Sequence, residues 1–348
     1  YGDDFFHNDS VCLQGYLDGY DPRLGFDSGI LYLEDEITNQ DYPTVVPIRP
    51  DGSFQCKFLV QHPIWQSIVF NDNWIPFYAE PKDTVTLYLN WEDILAKSRA
   101  RDHSYPLPHT AHMGRSADLS YLVTTLNSSF EYPYDKMSKA QKTLTPAQFQ
   151  EELNPIADQW KQQADSLCRL YAPSQKAVSL IRNHMNLRKG EYFLDFQMMR
   201  GFYAQQDSTN QVLKVQPDAS YYHFLKEMPL NDPSAFADRS ISSFINRFEF
   251  MDLLTIPINK QAEIQNDQAF QALPNDQKPL QLELKFYEIK DSIANSLYTT
   301  PSPLFWQAAF VRHLRYILSN TLKRRQDAET YLSRTEKTLT HPYLRATV

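Results

Sequence analysis

Residues 42–91 constrain the fold more than any other stretch of the chain. Five short runs of apolar, β-prone residues are separated there by Pro, Gly, Asn and Asp. The runs recur at a spacing of roughly ten residues, which is typical of the strands of an antiparallel sandwich. In the last run every second residue is apolar, so one face of that strand is predicted to be buried: Val85, Leu87, Leu89 and Trp91.

Two further β-prone runs come before this stretch, at residues 11–17 and 30–37. A Pro-Asp-Gly sequence that ends at Gly52 predicts a hairpin turn, in which glycine takes a left-handed conformation. An Asn-Asp-Asn sequence that begins at Asn71 predicts a second turn. The count reaches seven strands by Trp91, which is enough for two packed sheets.

From about Asp118 onward, apolar residues recur every three or four positions, which is the period of a helix. Thr145 and Pro146 followed by Gln148 combine an N-cap, a proline at the first helical position and a capping box. Pro155 is predicted to kink that helix. The same cap-plus-proline start recurs at Asp232-Pro233 and Ser302-Pro303. This region predicts seven or eight helices.

The chain is therefore predicted to be an α+β protein of two domains. We expect an antiparallel β-sandwich of about seven strands over residues 1–95, a linker over 96–115 and an all-α helical bundle over 116–348. The glycines support this division, because positive φ angles are needed in turn-rich β structure. Six of the nine glycines lie in the first 52 residues: Gly2, Gly15, Gly19, Gly25, Gly29 and Gly52.

The charge of the chain argues against a nucleic acid partner, and its hydropathy argues against a membrane-spanning helix. The net charge is −8, with 34 basic and 42 acidic residues in a chain of 348. No basic stripe is present to bind phosphates, so we expect no nucleic acid partner. No apolar run reaches the roughly 20 residues that a membrane-spanning helix needs.

The three cysteines, Cys12, Cys56 and Cys168, are widely separated and form no C-x-x-C pair. We expect reduced thiols and no disulfide framework. Cys56 alternates with Phe54 and Phe58 along one strand, which predicts a place in the core.

Histidines in the predicted linker are the first candidate ligands. His103, His109 and His112 lie near Asp102, and such side chains can hold zinc. Their spacing matches no zinc motif, so a solvated linker is the favoured interpretation.

Carboxylates in the first long loop are a second candidate set. Asp18, Asp21 and Asp27, with Arg23 between them, could bind calcium. The spacing departs from that of a calcium-binding loop, so ordinary loop carboxylates that bond the backbone are favoured.

Aromatic pairs and isolated carboxylates complete the candidates. Tyr221-Tyr222 and Tyr192-Phe193 could line a groove, but aromatic residues at helical spacing are more often core. The chain has no nucleophile elbow, P-loop, dinucleotide fingerprint or H-E-x-x-H motif. Carboxylates that could still converge in the fold are Glu191, Asp195 and Glu249. No catalytic, cofactor-binding or metal-binding residue is assigned, and no cofactor is expected.

Three sequence segments carry a resemblance to a known family. They are DGSF at 51–54, HPI at 62–64 and IPFYAEPKDTVTLYLNW at 75–91. This pattern, followed by helices, resembles the N-terminal half of thioredoxin-like disulfide reductases of Gram-negative cell envelopes. The likeness covers residues 11–91 well and the helices only in general layout. In the family a β-sandwich and a helical domain precede a C-terminal thioredoxin domain.

This chain departs from the family pattern in two ways. The family usually shows a Pro-Gly-Asp-Thr turn, whereas the sequence here is Pro81-Lys82-Asp83-Thr84. The positive φ that glycine permits is therefore expected to be absent or strained. The thioredoxin domain is also missing, since the chain stops about where a linker to it would begin. No catalytic residue can be carried over, because none of the cysteines has the setting of a reactive thiolate.

The resemblance implies a non-catalytic accessory or binding region of a cell-envelope protein related to thiol-disulfide oxidoreductases. This span is then not itself an enzyme, the full-length protein is a thiol-disulfide oxidoreductase, and its C-terminal thioredoxin domain is the expected partner. The implied location is the periplasm or outer cell envelope, with membrane association through a lipid anchor. The start at Tyr1, without a leader, suggests a processed or truncated form.

Two other functions stay open. One is a free-standing surface module that binds glycans or peptides, with the sandwich as its scaffold. The other is a hydrolase that uses buried carboxylates, which requires a deep polar cleft.

Overall fold

The computed structural model describes residues 5–38, 40–100, 105–172, 174–297 and 303–348. The protein is α+β, with two β-sheets at the N-terminal end and a mostly helical region after them. The described strands are β1 (Asp9–Asp18), β2 (Ser28–Asp35), β3 (Gln40–Pro47), β4 (Ser53–Val60), β5 (Ile64–Phe70), β6 (Asn73–Ala79), β7 (Thr84–Asn90) and β8 (Ala111–Met113).

The strands form two four-stranded sheets that pack face to face. The first sheet has the order β4-β1-β7-β8 and the second the order β3-β2-β5-β6. Strands β1 and β7 pair in parallel, whereas every other ladder among the described strands is antiparallel. Alternate residues of the strands fill the space between the sheets, among them Leu13, Leu31, Phe54, Ile68, Phe77 and Leu87.

The seven strands expected from the sequence are confirmed, with one correction at the last of them. Strand β7 ends at Asn90, and Trp91 begins helix α1 (Trp91–Arg99). Asn90 ends the strand because its side chain accepts a hydrogen bond from the backbone N–H of Asp93, which caps the new helix. Trp91 is buried as predicted, but from the helix.

The segment 96–115, which the sequence predicted as a linker, is partly regular structure among its described residues. It contains the end of α1 and strand β8, which adds to the edge of the first sheet through pairs such as Leu87 with His112. A three-residue strand without strong alternation gives little signal in a sequence.

Both predicted hairpin turns have the expected backbone. Gly52 has a φ of 87°, and Asn71 and Asp72 have φ angles of 46° and 62°. Two residues with positive φ between antiparallel strands are the usual connection of a tight hairpin. Lys82 has a φ of 69°, so the turn at Pro81-Lys82-Asp83-Thr84 has a positive φ without glycine.

Helices make up the rest of the described chain. They are α2 (Ala117–Leu126), α3 (Tyr134–Thr143), α4 (Pro146–Leu170), α5 (Gln175–Gln206), α6 (Ile241–Glu249), α7 (Ile258–Asn266), α8 (Gln268–Gln271), α9 (Lys278–Leu297), α10 (Leu304–Tyr316), α11 (Arg325–Thr335) and α12 (Pro342–Thr347). Short 3-10 segments lie at Pro22–Leu24, Val212–Lys214, Ala219–Glu227, Pro233–Ala237, Asp252–Leu254 and Glu336–Thr338, and a π-helical turn at Ile317–Thr321.

The expected seven or eight helices are too few for this region. The described residues hold eleven α-helices from α2 onward, because prolines and Asx caps divide the chain into shorter pieces. Asp232 and Pro233 start a 3-10 segment and not an α-helix. The capping box at Thr145 is confirmed, and α4 continues through Pro155.

The outer face of the second sheet is part of the helical core. Trp65 of β5 and Tyr78 of β6 are buried among helical residues, and Ser120 of α2 bonds the backbone of Tyr78 through both its N–H and its C=O. The helices therefore pack directly on the sandwich. Among the described helices, none is both long enough and apolar enough to span a membrane.

Candidate binding crevice between sandwich and helices

A crevice of about 720 Å³ lies where the sandwich meets the helices. Three segments distant in sequence line it: Glu80 just after β6, the residues from Arg115 into the first turn of α2, and those from the end of α4 into the first turn of α5. This volume falls in the range of small-molecule sites, roughly 300–1,000 Å³, and junctions between folded units are common places for such sites.

Glu80 is the centre of an ion network in the crevice. The Lys176 Nζ atom lies 2.5 Å from Glu80 Oε1, and the Arg115 Nη2 atom lies 3.9 Å from Glu80 Oε2. Tyr78 also donates its hydroxyl to Glu80 Oε1, at 3.4 Å. The carboxylate thus joins one cation from each helical segment to the edge of the sheet.

Asp83 fixes the base of this network. Its buried carboxylate accepts hydrogen bonds from the Glu80 N–H, at 3.3 Å, and from the Ser116 hydroxyl, and it lies 3.3 Å from Arg115 Nε. Ser116 stands at the N-cap position of α2 but makes no side-chain cap bond to its own helix. Its hydroxyl instead ties the β6–β7 turn to the start of α2.

The walls of the crevice combine charge with apolar surface. Leu170 is 72% exposed and Tyr121 44% exposed, and Leu119 and Tyr171 also contribute. Both serine hydroxyls of the lining are engaged, since Ser116 donates to Asp83 and Ser174 accepts from the Ala177 N–H. The Tyr121 hydroxyl accepts from the His112 N–H. The arrangement suits recognition of a small amphipathic ligand with charged groups.

The linker histidines are separated in the structure. His109 Nδ1 lies 3.0 Å from Asp93 Oδ2, whereas His112 is buried against Tyr121 and burial lowers its pKa to about 4. Asp102 and His103 lie outside the described residues. Within the described ranges, no group of three or more His, Cys, Asp or Glu side chains is arranged to hold a metal ion.

The loop aspartates each have their own partner. Asp21 caps the Pro22–Leu24 segment and pairs with Arg23, whose hydrogen bonds lower the pKa of Asp21 to about 2. Asp27 accepts a hydrogen bond from the Ser28 hydroxyl at 3.0 Å, and Asp18 bonds the Tyr88 hydroxyl. The interpretation as loop carboxylates with local bonds fits these contacts.

The three cysteines are free, as expected. Only Cys168 is fully buried, whereas Cys12 and Cys56 are half-buried, so the core position predicted for Cys56 is only partial. Strand β4 is an edge strand, which leaves that side of the core open. Burial, followed by the neighbouring Cys12, raises the pKa of Cys56 to about 11, so this thiol is a poor nucleophile.

Two of the three isolated carboxylates are neighbours. Glu191 and Asp195 lie four residues apart on α5, and besides burial, the Asp195 charge raises the pKa of Glu191. Glu191 pairs with Arg188 and Asp195 with Arg247, whereas Glu249 pairs with His313 Nδ1 at 2.6 Å.

Glu249 and His313 line a separate cavity among helices α9, α10 and α11, together with Glu283 and Lys290. Burial raises the pKa of Glu283 and lowers the pKa of Lys290, which is a pattern found at functional sites. The cavity measures only about 20 Å³, enough for one water molecule and far too small for a substrate. We therefore take the crevice as the candidate site.

The aromatic pairs are core residues, which confirms the favoured interpretation. Tyr221, Tyr222, Tyr192 and Phe193 are all buried within the helical cluster. The crevice residues Glu80, Arg115 and Lys176 were missed, because they come from three segments and match no motif. The one available signal was the turn at Pro81-Lys82-Asp83-Thr84, which the resemblance had singled out.

A search of protein-family models, curated proteins and solved structures found no match to this chain.

Proposed function

We propose that this chain is an accessory binding region of a cell-envelope protein related to the thioredoxin-like disulfide reductases, and that it holds its ligand in the crevice. Support for the family relation is the resemblance over residues 11–91. The order of a β-sandwich followed by helices, which the resemblance implies, agrees with it.

The crevice is the proposed binding site. It is built jointly by the sandwich and the helices, so a bound ligand contacts both and stabilises their packing. The Arg115 side chain is 62% exposed; its Nε lies 3.3 Å from Asp83 and its Nη2 3.9 Å from Glu80, so its other guanidinium N–H groups can bond a ligand. Asp118, an exposed carboxylate of the same lining, can accept from a ligand ammonium, so short peptides, which carry both charges, match the lining.

Titration with short peptides tests the binding. A library of di- to tetrapeptides is screened by thermal shift and by NMR, and we expect members that raise the Tm of the wild-type chain. The double variant Arg115→Met/Lys176→Met should bind them at least about tenfold more weakly, a loss of roughly 1.4 kcal/mol. Arg325→Met, which removes a surface arginine on α11, is the matched control and should bind normally. Absence of any binding peptide, or equal binding by the double variant, would refute the crevice as the site.

The relation to disulfide reductases has a separate test. The complete reading frame should encode a C-x-x-C motif within about 150 codons after Val348, the length of one domain, and a signal or lipoprotein leader before Tyr1. A frame that ends at Val348 would contradict the family relation and leave the crevice result unaffected.

A further inference from the structure

The outer face of the first sheet is a regular array of polar and aromatic side chains. Strands β4, β1 and β7 lie side by side in this sheet, and their registers place Gln14 between Gln55 and Thr86, and Tyr16 between Ser53 and Tyr88. Strand β8 adds Met113 beside Thr86. Because alternate residues of these strands point inward, this set shares the opposite face.

This face is open. Tyr16 is 41% exposed, Leu59 at the β4 edge is 76% exposed, and Met113 is 46% exposed. Trp65 and Tyr78 of the second sheet pack in the helical core, whereas none of the described residues on the outer face of the first sheet does.

Two tyrosines form the centre of the array. The rings of Tyr16 and Tyr88 are nearly parallel, with 6.1 Å between their centroids and 26° between their planes. Tyrosine offers an apolar ring and a hydroxyl in one side chain, and it loses little conformational entropy on binding. Asp18 is close to Tyr88 on this face and raises the pKa of its hydroxyl.

Amide side chains next to the tyrosines retain hydrogen-bonding capacity. Gln14 Nε2 donates to Thr86 Oγ1 at 3.1 Å, and Gln55 Nε2 donates to Cys12 Sγ at 3.2 Å. Each amide has two N–H donors and a carbonyl oxygen, so each keeps an acceptor and a second donor for a ligand.

The charge of the face identifies the class of ligand. Lys57 and Asp18 lie at the array, and Arg49 and Asp51 contact Ser53 at its edge. These four charges cancel in a chain whose net charge is −8. Aromatic rings flanked by amides and hydroxyls, without net charge, complement a neutral polyhydroxyl compound: the rings contact C–H surface and the amides contact hydroxyls.

A second exposed aromatic pair lacks these features. Tyr32 and Trp74 stack at 5.3 Å on the outer face of the second sheet. In the registered strands Tyr32 lies opposite Pro43 and Ser67, and Trp74 lies opposite Val69. Among the described residues, these ladders place no amide side chain opposite either ring to bond sugar hydroxyls.

We propose that the outer face of the first sheet, centred on Tyr16 and Tyr88, is a binding surface for neutral glycan chains. This surface is separate from the crevice and does not depend on the function proposed for it. A shallow, open face predicts a Kd of about 0.1–1 mM for an oligosaccharide.

The test uses the full 348-residue chain and a panel of neutral hexasaccharides of glucose (β1,4 and α1,4), xylose, mannose and N-acetylglucosamine. Binding is followed by isothermal titration calorimetry and by ¹⁵N NMR shifts. We expect at least one hexasaccharide to bind, with shifts on β1, β4 and β7. Tyr16→Ala should weaken binding about tenfold, while Tyr16→Phe should keep most of it.

Gln55→Ala provides a second variant at an exposed edge position, in case Tyr16→Ala fails to fold, and should weaken binding severalfold. Tyr42→Ala, an exposed tyrosine of the second sheet, is the matched control and should bind normally. The proposal is wrong if no hexasaccharide binds at about 5 mM. It is equally wrong if Tyr16→Ala, or Gln55→Ala where the first variant is unfolded, binds as tightly as the wild type.

Discussion

His62 and Glu36 form a buried pair in which both ring nitrogens of the histidine face acceptors. Nε2 contacts Glu36 Oε1, and Nδ1 lies 2.7 Å from the carbonyl oxygen of Pro63. When Glu36 is ionised, its carboxylate and the Pro63 carbonyl can only accept, so both ring nitrogens donate and the imidazole carries a positive charge. Phe5 stacks on this ring and Phe236 meets it edge to face, so the pair lies where the sandwich meets the helices.

This pair predicts that part of the stability is lost as pH rises. Burial alone lowers the pKa of His62, but Glu36, the Pro63 carbonyl and Asp35 outweigh it, and the net pKa is raised above 6.5. A raised pKa in the folded state means that this contribution is complete below about pH 6.5 and disappears as pH rises through the folded-state pKa. Each unit of pKa shift corresponds to about 1.4 kcal/mol of the free energy of unfolding.

Glu36→Gln is the control that isolates the histidine. Without the carboxylate charge, burial dominates and the pKa of His62 falls, so this variant should gain stability as pH rises through about 6.5. Urea unfolding at pH 5.5, 7 and 8.5 gives both profiles. Parallel profiles for wild type and variant would show that His62 is not charged in the folded protein.

Arg200 predicts a large loss of stability when its hydrogen bonds are removed. It is 1% exposed and donates to the backbone carbonyls of Leu144, Val212, at 2.7 Å, and Val215, at 2.9 Å. The side chain thereby fastens the segments after α3 and α5 to the α5 helix. Arg200→Met leaves these carbonyls without donors, and we expect the free energy of unfolding to fall by about 3 kcal/mol.

Lysine at position 200 should recover only part of this loss, because its ammonium group lacks the wide fork that reaches several carbonyls at once. Arg182→Met, an exposed arginine of the same helix, should change stability by less than about 0.5 kcal/mol. Chemical denaturation measures all three variants. A loss for Arg200→Met no larger than for Arg182→Met would contradict the role given to these bonds.

Local patterns predicted much of the fold because they are set by neighbours in sequence. The alternation in β7 and the capping box at Thr145 depend on residues within one strand or one turn, and both are present in the structure. The parallel pairing of β1 with β7 brings Leu13 opposite Val85, across more than 70 residues, and no local pattern encodes it. The same is true of β8, whose three residues need an existing sheet edge.

The candidate site was less predictable than the fold. Lys176 reaches Glu80 only because α5 packs on the sandwich. The Ser116 hydroxyl bonds Asp83 and does not cap its own helix. A single sequence records neither contact, since each joins residues that are far apart in the chain. Of the carboxylates singled out by type alone, Glu191 and Asp195 are neighbours on α5, whereas Glu249 pairs with His313 at another cavity.

Pro155 predicts a gain of stability on substitution. Helix α4 runs through this exposed proline, which has no N–H to donate to the Glu151 carbonyl. Pro155→Ala restores that bond, and we expect the free energy of unfolding to rise by about 1–3 kcal/mol. Asn154→Ala, at the exposed neighbouring position, should change it by less than about 0.5 kcal/mol. No gain for Pro155→Ala would contradict the cost assigned to the missing hydrogen bond at this proline.

Lys82 occupies a backbone position that glycine would fill with less strain. The Asp83 N–H donates to the Glu80 carbonyl at 2.9 Å, which closes a four-residue turn with Pro81 second and Lys82 third. Lys82 has a φ of 69°, and a turn of this kind favours glycine at its third position. Lys82→Gly should therefore raise the free energy of unfolding by about 0.5–1 kcal/mol. This gain is the cost of a side chain at positive φ minus the cost of the greater freedom that glycine gives the unfolded chain.

Lys82→Ala separates the backbone effect from the loss of the lysine amine, which lies 3.7 Å from Asp9, because alanine keeps the strained Cβ. We expect urea unfolding to rank glycine above both alanine and lysine, and a glycine variant no more stable than alanine would show that the turn carries no strain at this residue.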